Sequence, residues 1–251
     1  MTSRTSLQRR AGAQLERRLV LLDPTRRARF ARALAALGRL PRNARVHVLD
    51  AGCGDGLFAH EVARRRPDWD VLGVDVNDEL LERARTRADA TGIENATFRH
   101  ADLTAELGDS EFHAVTAIQC LEEIGADTIA LVVMVRALKS GGLFVAQVPE
   151  REWKPVLRGS EPTWRHEVRH GYGRAELVTL LERTGLQRVE TRPTDHALVR
   201  LAQELTDALK PRTIGVRALV HPALRAAAVV EMLGLRVGES RSIFVTATRV
   251  P

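Results

Sequence analysis

The chain has 251 residues, 44% of them hydrophobic and 28% charged, the balance of a soluble globular protein rather than a disordered one. Its longest unbroken apolar run, Ile129 to Val135, is far short of a membrane span, and no compact apolar segment follows the N-terminal arginines as a secretory signal requires. The formal charge of +6 is uneven, since residues 1–45 hold twelve arginines against only Glu16 and Asp23.

That basic head can meet nucleic acid, anionic lipid or an acidic ligand. Its near lack of aromatic residues to stack on bases favours a solvated helical face. Cys53 and Cys120 are the only cysteines, which excludes a disulfide framework and fits a reducing, cytoplasmic setting.

In chain order, Leu7 to Leu22 has helical periodicity, and Asp23-Pro24 reads as a cap with proline in the first turn of a second helix. That helix places Phe30, Leu34 and Leu37 on one face before Gly38 and Pro41 end it. These segments form an N-terminal helical extension over residues 1–43. From Val46 strands and helices alternate. Strands are predicted at Val46–Asp50, Val71–Asp75, Ala96–His100, Ala114–Ile118 and Leu143–Val148. Helices are predicted at Leu57–Arg66, from Asn77 or Asp78 to about Ala90, and from about Asp127 to Leu138. This rhythm predicts an α/β fold, a parallel sheet with helices on both faces.

After Pro149 the rhythm changes. Residues 150–172 are polar, contain Trp153, Trp164 and Tyr172, and read as a long loop or short helices over one end of the sheet. A helix at Arg174–Thr184, a strand at Leu186–Thr191 and a last strand at Ser242–Thr248 follow. Between those two strands, leucines 198, 201, 205 and 209 recur at helical spacing, and an apolar stretch Leu219–Leu235 is broken by Pro222. The region from about 194 to 240 is therefore expected to be a helical insertion before the last strand.

The most informative stretch is Val48-Leu-Asp-Ala-Gly-Cys-Gly-Asp-Gly56. Alternating glycines directly after a buried strand let the backbone turn sharply and approach a ligand closely, and the following helix aims free N–H groups at it. Asp50, Asp75 and Asp102 end or follow three successive strands, which places three carboxylates at one edge of the sheet, where ligands bind in open α/β folds. Asp75 is placed to accept hydrogen bonds from ribose hydroxyls. Asp50, just before the first glycine, repels a phosphate and attracts an ammonium or sulfonium, so the cradle fits a nucleoside with a cationic head and disfavours a nicotinamide dinucleotide.

S-adenosylmethionine has that chemistry. Together with Val74-Asp-Val-Asn77, His100-Ala-Asp-Leu103, Cys120-Leu-Glu-Glu-Ile124 and Ala137-Leu-Lys-Ser-Gly-Gly142, the glycine-rich stretch resembles the successive motifs of class I S-adenosylmethionine-dependent methyltransferases, over about residues 44–192 and the last strand. The resemblance implies a Rossmann-like, seven-stranded sheet whose final strand runs antiparallel between its neighbours. It further implies that Asp50, Gly52, Cys53 and Gly54 surround the methionine end, Asp75 and Val76 the ribose, Asp102 and Leu103 the adenine, with Gln119 nearby. Many such enzymes carry histidine after the Leu-Glu pair; this chain has Glu123 there.

His166, His170, Tyr172 and Glu122 are the candidate catalytic groups. His166-Glu-Val-Arg-His170 matches the spacing of a zinc peptidase motif, but Pro162 precedes it and Gly171-Tyr-Gly173 cuts it short, so no metal is expected. The two histidines read instead as general-base candidates or as surface loop residues. Glu122 and Glu123 also fit a charge cluster at a helix start, Cys53 and Cys120 fit packing, and Trp153 and Trp164 fit pocket walls or lid packing. Gln119-Cys120-Leu121 replaces the Asn/Asp-Pro-Pro-aromatic turn of nucleic-acid base methyltransferases.

The expected acceptor is thus a small molecule, through a hydroxyl of a natural product, sugar or lipid precursor. Nucleic acid is the disfavoured partner, peripheral membrane contact through Leu219–Leu235 and the basic head is an alternative, and the chain is read as a monomer or homodimer.

Overall fold

In the computed structural model the described residues are 24–41, 44–105, 107–151, 154, 156, 168–201, 204, 226, 230 and 238–251. The first helix is α1 (Pro24–Leu37), followed by β1 (His47–Ala51), α2 (Leu57–Arg65), β2 (Asp70–Asp75), α3 (Asp78–Thr91), β3 (Ala96–His100) and β4 (Phe112–Ile118). A 3-10 turn at Leu121–Glu123 leads to α4 (Asp127–Ala137), β5 (Leu138–Pro149), α5 (Arg174–Arg183), β6 (Leu186–Thr194) and β7 (Ser242–Arg249).

The seven strands form one sheet in the order β3-β2-β1-β4-β5-β7-β6. Strands β1 to β5 pair in parallel, and β7 lies antiparallel between β5 and β6. The expected Rossmann-like methyltransferase sheet is therefore present, with its reversed strand in place.

Side-chain alternation explains the two covered faces. In β1, Val48 enters a core with α1, α2 and α3, whereas its neighbour Leu49 enters a second core with α4 and α5. Local chemistry sets the helix ends. The Asn77 side chain accepts from the Glu79 and Leu80 amides, capping α3, which ends at the left-handed Gly92. The Asn95 amide group donates to the carbonyls of Ala63, Arg66 and Trp69 at 3.1, 3.0 and 2.8 Å, tying the end of α2 to the start of β3.

β5 and β6 run furthest beyond their sequence-based bounds. β5 begins at Leu138, which pairs with Phe112 across a register shift; Gly141 and Gly142 obscure this in the sequence. β6 continues through Pro193 to Thr194, because an edge strand tolerates the missing N–H.

Helix α1 is part of the folded body. Ala33 and Leu37 are buried in the same core as Val48 and Val145, and the Phe30 ring lies 5.1 Å from that of Phe58. The Leu7–Leu22 helix lies outside the described residues, as do Trp153, Trp164 and most of the predicted insertion, of which residues 197–201, 204, 226 and 230 are helical. Among the described residues no helix is long and apolar enough to cross a membrane.

Leu37 is 2% exposed, so Leu37→Ala is expected to cost about 2–4 kcal/mol through lost burial and a residual cavity. Urea unfolding followed by circular dichroism measures it; a change under about 0.5 kcal/mol is inconsistent with α1 packing into this core.

Candidate active site

The sheet order reverses between β1 and β4, and a cavity of about 600 Å³ opens there at the carboxyl ends of the strands. The turn after β1 is shaped by close approach. Gly52 has φ +67°, and a Cβ on it would lie 2.4 Å from the Cβ of Cys120, so any side chain would push the β1 and β4 turns apart. At Gly54, φ +53°, an added Cβ would meet nothing within 4 Å.

Hydrogen bonds lock this turn to the end of β2. The Cys53 amide donates to the Val74 carbonyl at 2.9 Å, and the Gly54 amide to Asp75 Oδ2 at 2.8 Å. Asp75 Oδ1 accepts from the Asn77 amide at 2.9 Å. Two fixed N–H donors thus orient the carboxylate before any ligand arrives, and each oxygen keeps acceptor capacity.

Asp50 is different. It is 3% exposed, accepts a 2.8 Å bond from the Thr116 hydroxyl through Oδ1, and has no hydrogen-bond partner on Oδ2. Burial pushes its pKa up to about 7, against the lowering effects of the Thr116 hydroxyl and the Ala59 amide. A buried carboxylate oxygen without a donor is costly, and a cation entering the cavity relieves that cost.

Asp102 is exposed and held below the usual carboxylate range by the Thr104 amide and hydroxyl, both 2.8 Å from Oδ1. Gln119 adopts a left-handed backbone at φ +57°, held where its amide and side chain donate to the Gln147 carbonyl at 2.8 and 3.3 Å. Burial pushes the Cys53 and Cys120 thiols up, which keeps them protonated and argues for packing.

The cavity wall contains Asp50, Gly52, Cys53, Gly54 and Asp75, together with Val76, Asp102, Leu103 and Gln119. All nine residues expected around a cofactor thus meet in one place. The wall also contains Arg26, Arg29 and Phe30 of α1, and Glu123. Sequence reasoning missed the arginines because nothing in their spacing separates them from their many neighbours.

The catalytic candidates fare differently. Glu122 is 2% exposed and absent from the cavity wall; its carbonyl accepts from the Val168 and Arg169 amides at 3.0 and 3.1 Å, and Glu123 takes the wall position. Tyr172 is fully buried and also off the wall. Its hydroxyl donates to Asp127 Oδ2 at 2.9 Å, the Arg169 guanidinium sits 4.2 Å over its ring, and burial and Asp127 push its pKa up. Neither side chain lines the cavity, so neither stands where an acceptor in it would present its proton. His170 is exposed but does not line the cavity, and His166 lies outside the described residues.

Residues 42–185 match a family described as a methyltransferase domain. The chain is 31% identical to a ubiquinone biosynthesis O-methyltransferase of Ruegeria sp. (strain TM1040), over 58% of this chain and 62% of that protein. It is 29% identical to a trans-aconitate 2-methyltransferase of Paracidovorax citrulli, over 53% of this chain and 52% of that one. The match therefore spans between about half and two-thirds of these relatives. Among solved structures, a Haemonchus contortus phosphoethanolamine N-methyltransferase 2 in complex with S-adenosyl-L-methionine superposes with a TM-score of 0.67 at 18% identity, covering 88% of this chain and 53% of that one, a likeness of fold.

The raised pKa of Asp50 has a defined sign. The folded protein holds this proton up to about pH 7, whereas the unfolded chain releases it near pH 4. The unfolded state thus binds fewer protons in this window, and ligand-free stability falls as pH rises through it. Urea unfolding at pH 5 and 7.5 is expected to show a smaller loss for Asp50→Asn than for wild type; equal losses contradict a buried, ionisable Asp50.

Proposed function

From the premise that this chain belongs to the class I S-adenosylmethionine-dependent methyltransferases, we propose that it methylates a hydroxyl of a small-molecule acceptor. The observation that carries this reading is the cavity rim, where a buried and half-satisfied Asp50 sits beside a carboxylate pre-oriented for a ribose. The small-molecule relatives named above support the acceptor class. Two free, buried cysteines accord with a reducing compartment.

S-adenosylmethionine, the methyl donor of this family, supplies an electrophilic methyl group on a positively charged sulfur. The residues fit it. Asp50 Oδ2 offers an acceptor to the cationic methionine end, and the bare Gly54 leaves room for close approach. Asp75 receives the ribose hydroxyls, Asp102 the adenine amine, and Leu103 and Val76 the apolar faces. Val76 is 59% exposed at the cavity wall, an apolar surface that an adenosine covers.

Methyl transfer is an in-line displacement with a neutral leaving group, so the protein chiefly orients the acceptor and excludes water. A hydroxyl nucleophile must also lose its proton. Glu123 is the carboxylate on the wall beside Cys120 and Ile124, and we assign proton acceptance to it in place of Glu122 and Tyr172. The Glu122 carbonyl and the Tyr172–Asp127 bond anchor the chain after β5 to the turn that carries Glu123.

Calorimetry tests the cofactor assignment. Asp75→Ala is expected to weaken S-adenosylmethionine binding about ten- to a hundredfold, the worth of charge-assisted hydrogen bonds; unchanged affinity contradicts the site.

A screen of phenols, catechols and hydroxy acids for release of S-adenosylhomocysteine tests the acceptor class, and steeply salt-dependent RNA binding with no turnover of any small acceptor overturns it. With an acceptor found, Glu123→Gln should lower kcat by about 10²- to 10⁴-fold while cofactor affinity holds. A loss below twofold removes Glu123 as the base.

A further inference from the structure

Outside the cofactor rim, a buried charged group joins several elements: the carboxylate of Asp195, the first residue after β6. It is 1% exposed and sits at φ +58°, a left-handed backbone for a non-glycine residue. Side chains of α1, β5 and β7 converge on it, the Ser242 hydroxyl among them. Arg32 Nη1 donates to Oδ1 at 2.9 Å, Arg29 Nε to Oδ2 at 3.4 Å, and Gln147 Nε2 to Oδ2 at 2.9 Å.

Two of these contacts lead to the cavity. Arg29 itself lines it, and its bond to Asp195 engages Nε. Gln147 lies next to Gln119 of the wall, whose amide and side chain both donate to the Gln147 carbonyl. Arg32 lies elsewhere, on a separate cleft between α1 and the β6–β7 edge. Burial alone would raise the Asp195 pKa, but Arg29 and Arg32 outweigh it and hold the carboxyl low, so the charge needed to grip Arg29 persists.

We propose that Asp195 is a positioning residue for methyl transfer: it sets Arg29 and Gln147 over the β4–β5 end of the cavity, so that the Arg29 guanidinium meets the carboxylate of the bound cofactor's amino-acid end. This rests on the cofactor reading above. The strand order supplies the geometry, because adenosine-facing groups lie at the ends of β2 and β3, Asp50 at β1, and the Arg29–Asp195–Gln147 group over β5. The wall thus carries a basic group, Arg29, besides its acids. Asp195 also joins α1 to the start of the segment between β6 and β7, so one buried charge registers both to the site.

The test is a double-mutant cycle on S-adenosylmethionine affinity, read by calorimetry beside melting temperature. Asp195→Asn and Arg29→Gln are each expected to weaken binding about tenfold, and the double variant no further than either alone, because both remove one interaction. Arg32→Gln, which removes a cation from the same carboxylate but not from the cavity, is expected to lower melting temperature with affinity within about twofold.

Multiplicative losses in the double variant overturn the proposal, as does an Asp195→Asn protein that melts earlier but binds like wild type. If Asp195→Asn is recovered unfolded, Asp195→Glu, which keeps the charge and moves it by one methylene, is read in the same cycle with the same two outcomes. Failure of the wild type to bind S-adenosylmethionine instead sinks the cofactor reading, so the two failures are distinct.

Discussion

The site depends on the hydrogen-bonded closure of the turn after β1 onto the end of β2. Gly54 and Asn77 present their amides to opposite oxygens of Asp75, and Gly52 brings the same turn into contact with Cys120 of the neighbouring strand's turn. Three strand ends are held in register by these contacts, and no side chain larger than hydrogen fits at the centre. A carboxylate fixed by two backbone donors loses little entropy when a ligand hydroxyl binds to it. The rigidity of the rim is thus a property of the backbone, with the acids as its functional ends.

Asp50 shows the complementary principle. The fold buries one carboxylate that accepts from the Thr116 hydroxyl through Oδ1 and leaves Oδ2 without a close donor. Such an arrangement costs the ligand-free protein stability, and under the proposed function a bound cation offsets that cost. Around it, the two hydrophobic cores on opposite faces of the sheet supply the rigidity that keeps water and side chains from relaxing the strain.

The chain after β5 is held by a different device. Tyr172, Asp127, Arg169 and Glu176 form a partly buried polar network that fastens residues 169–172 to α4 and α5. Charge-assisted bonds fix orientation more strongly than neutral ones, so residues 168–172 are held in a defined place. The residues singled out there by chemistry alone, Tyr172 and Glu122, are anchors, while their neighbour Glu123 faces the cavity.

What the residues determined by themselves was local or periodic. Strand alternation, the Asn77 cap, the glycine-rich turn and the acids at the ends of β1 and β2 and after β3 follow from spacing and backbone preference, which is why the strand–helix order and the nine cavity-lining positions were legible. Tertiary structure decided whatever depends on direction and burial. Glu122 and Glu123 are adjacent and chemically alike, and only the 3-10 turn at Leu121–Glu123 chooses which of them meets the cavity. Likewise Arg29 joins the site while Arg27, Arg32, Arg39 and Arg45 lie off its wall, because a carboxylate 166 positions further along the chain lies across from it, a coincidence in space that no sequence spacing encodes.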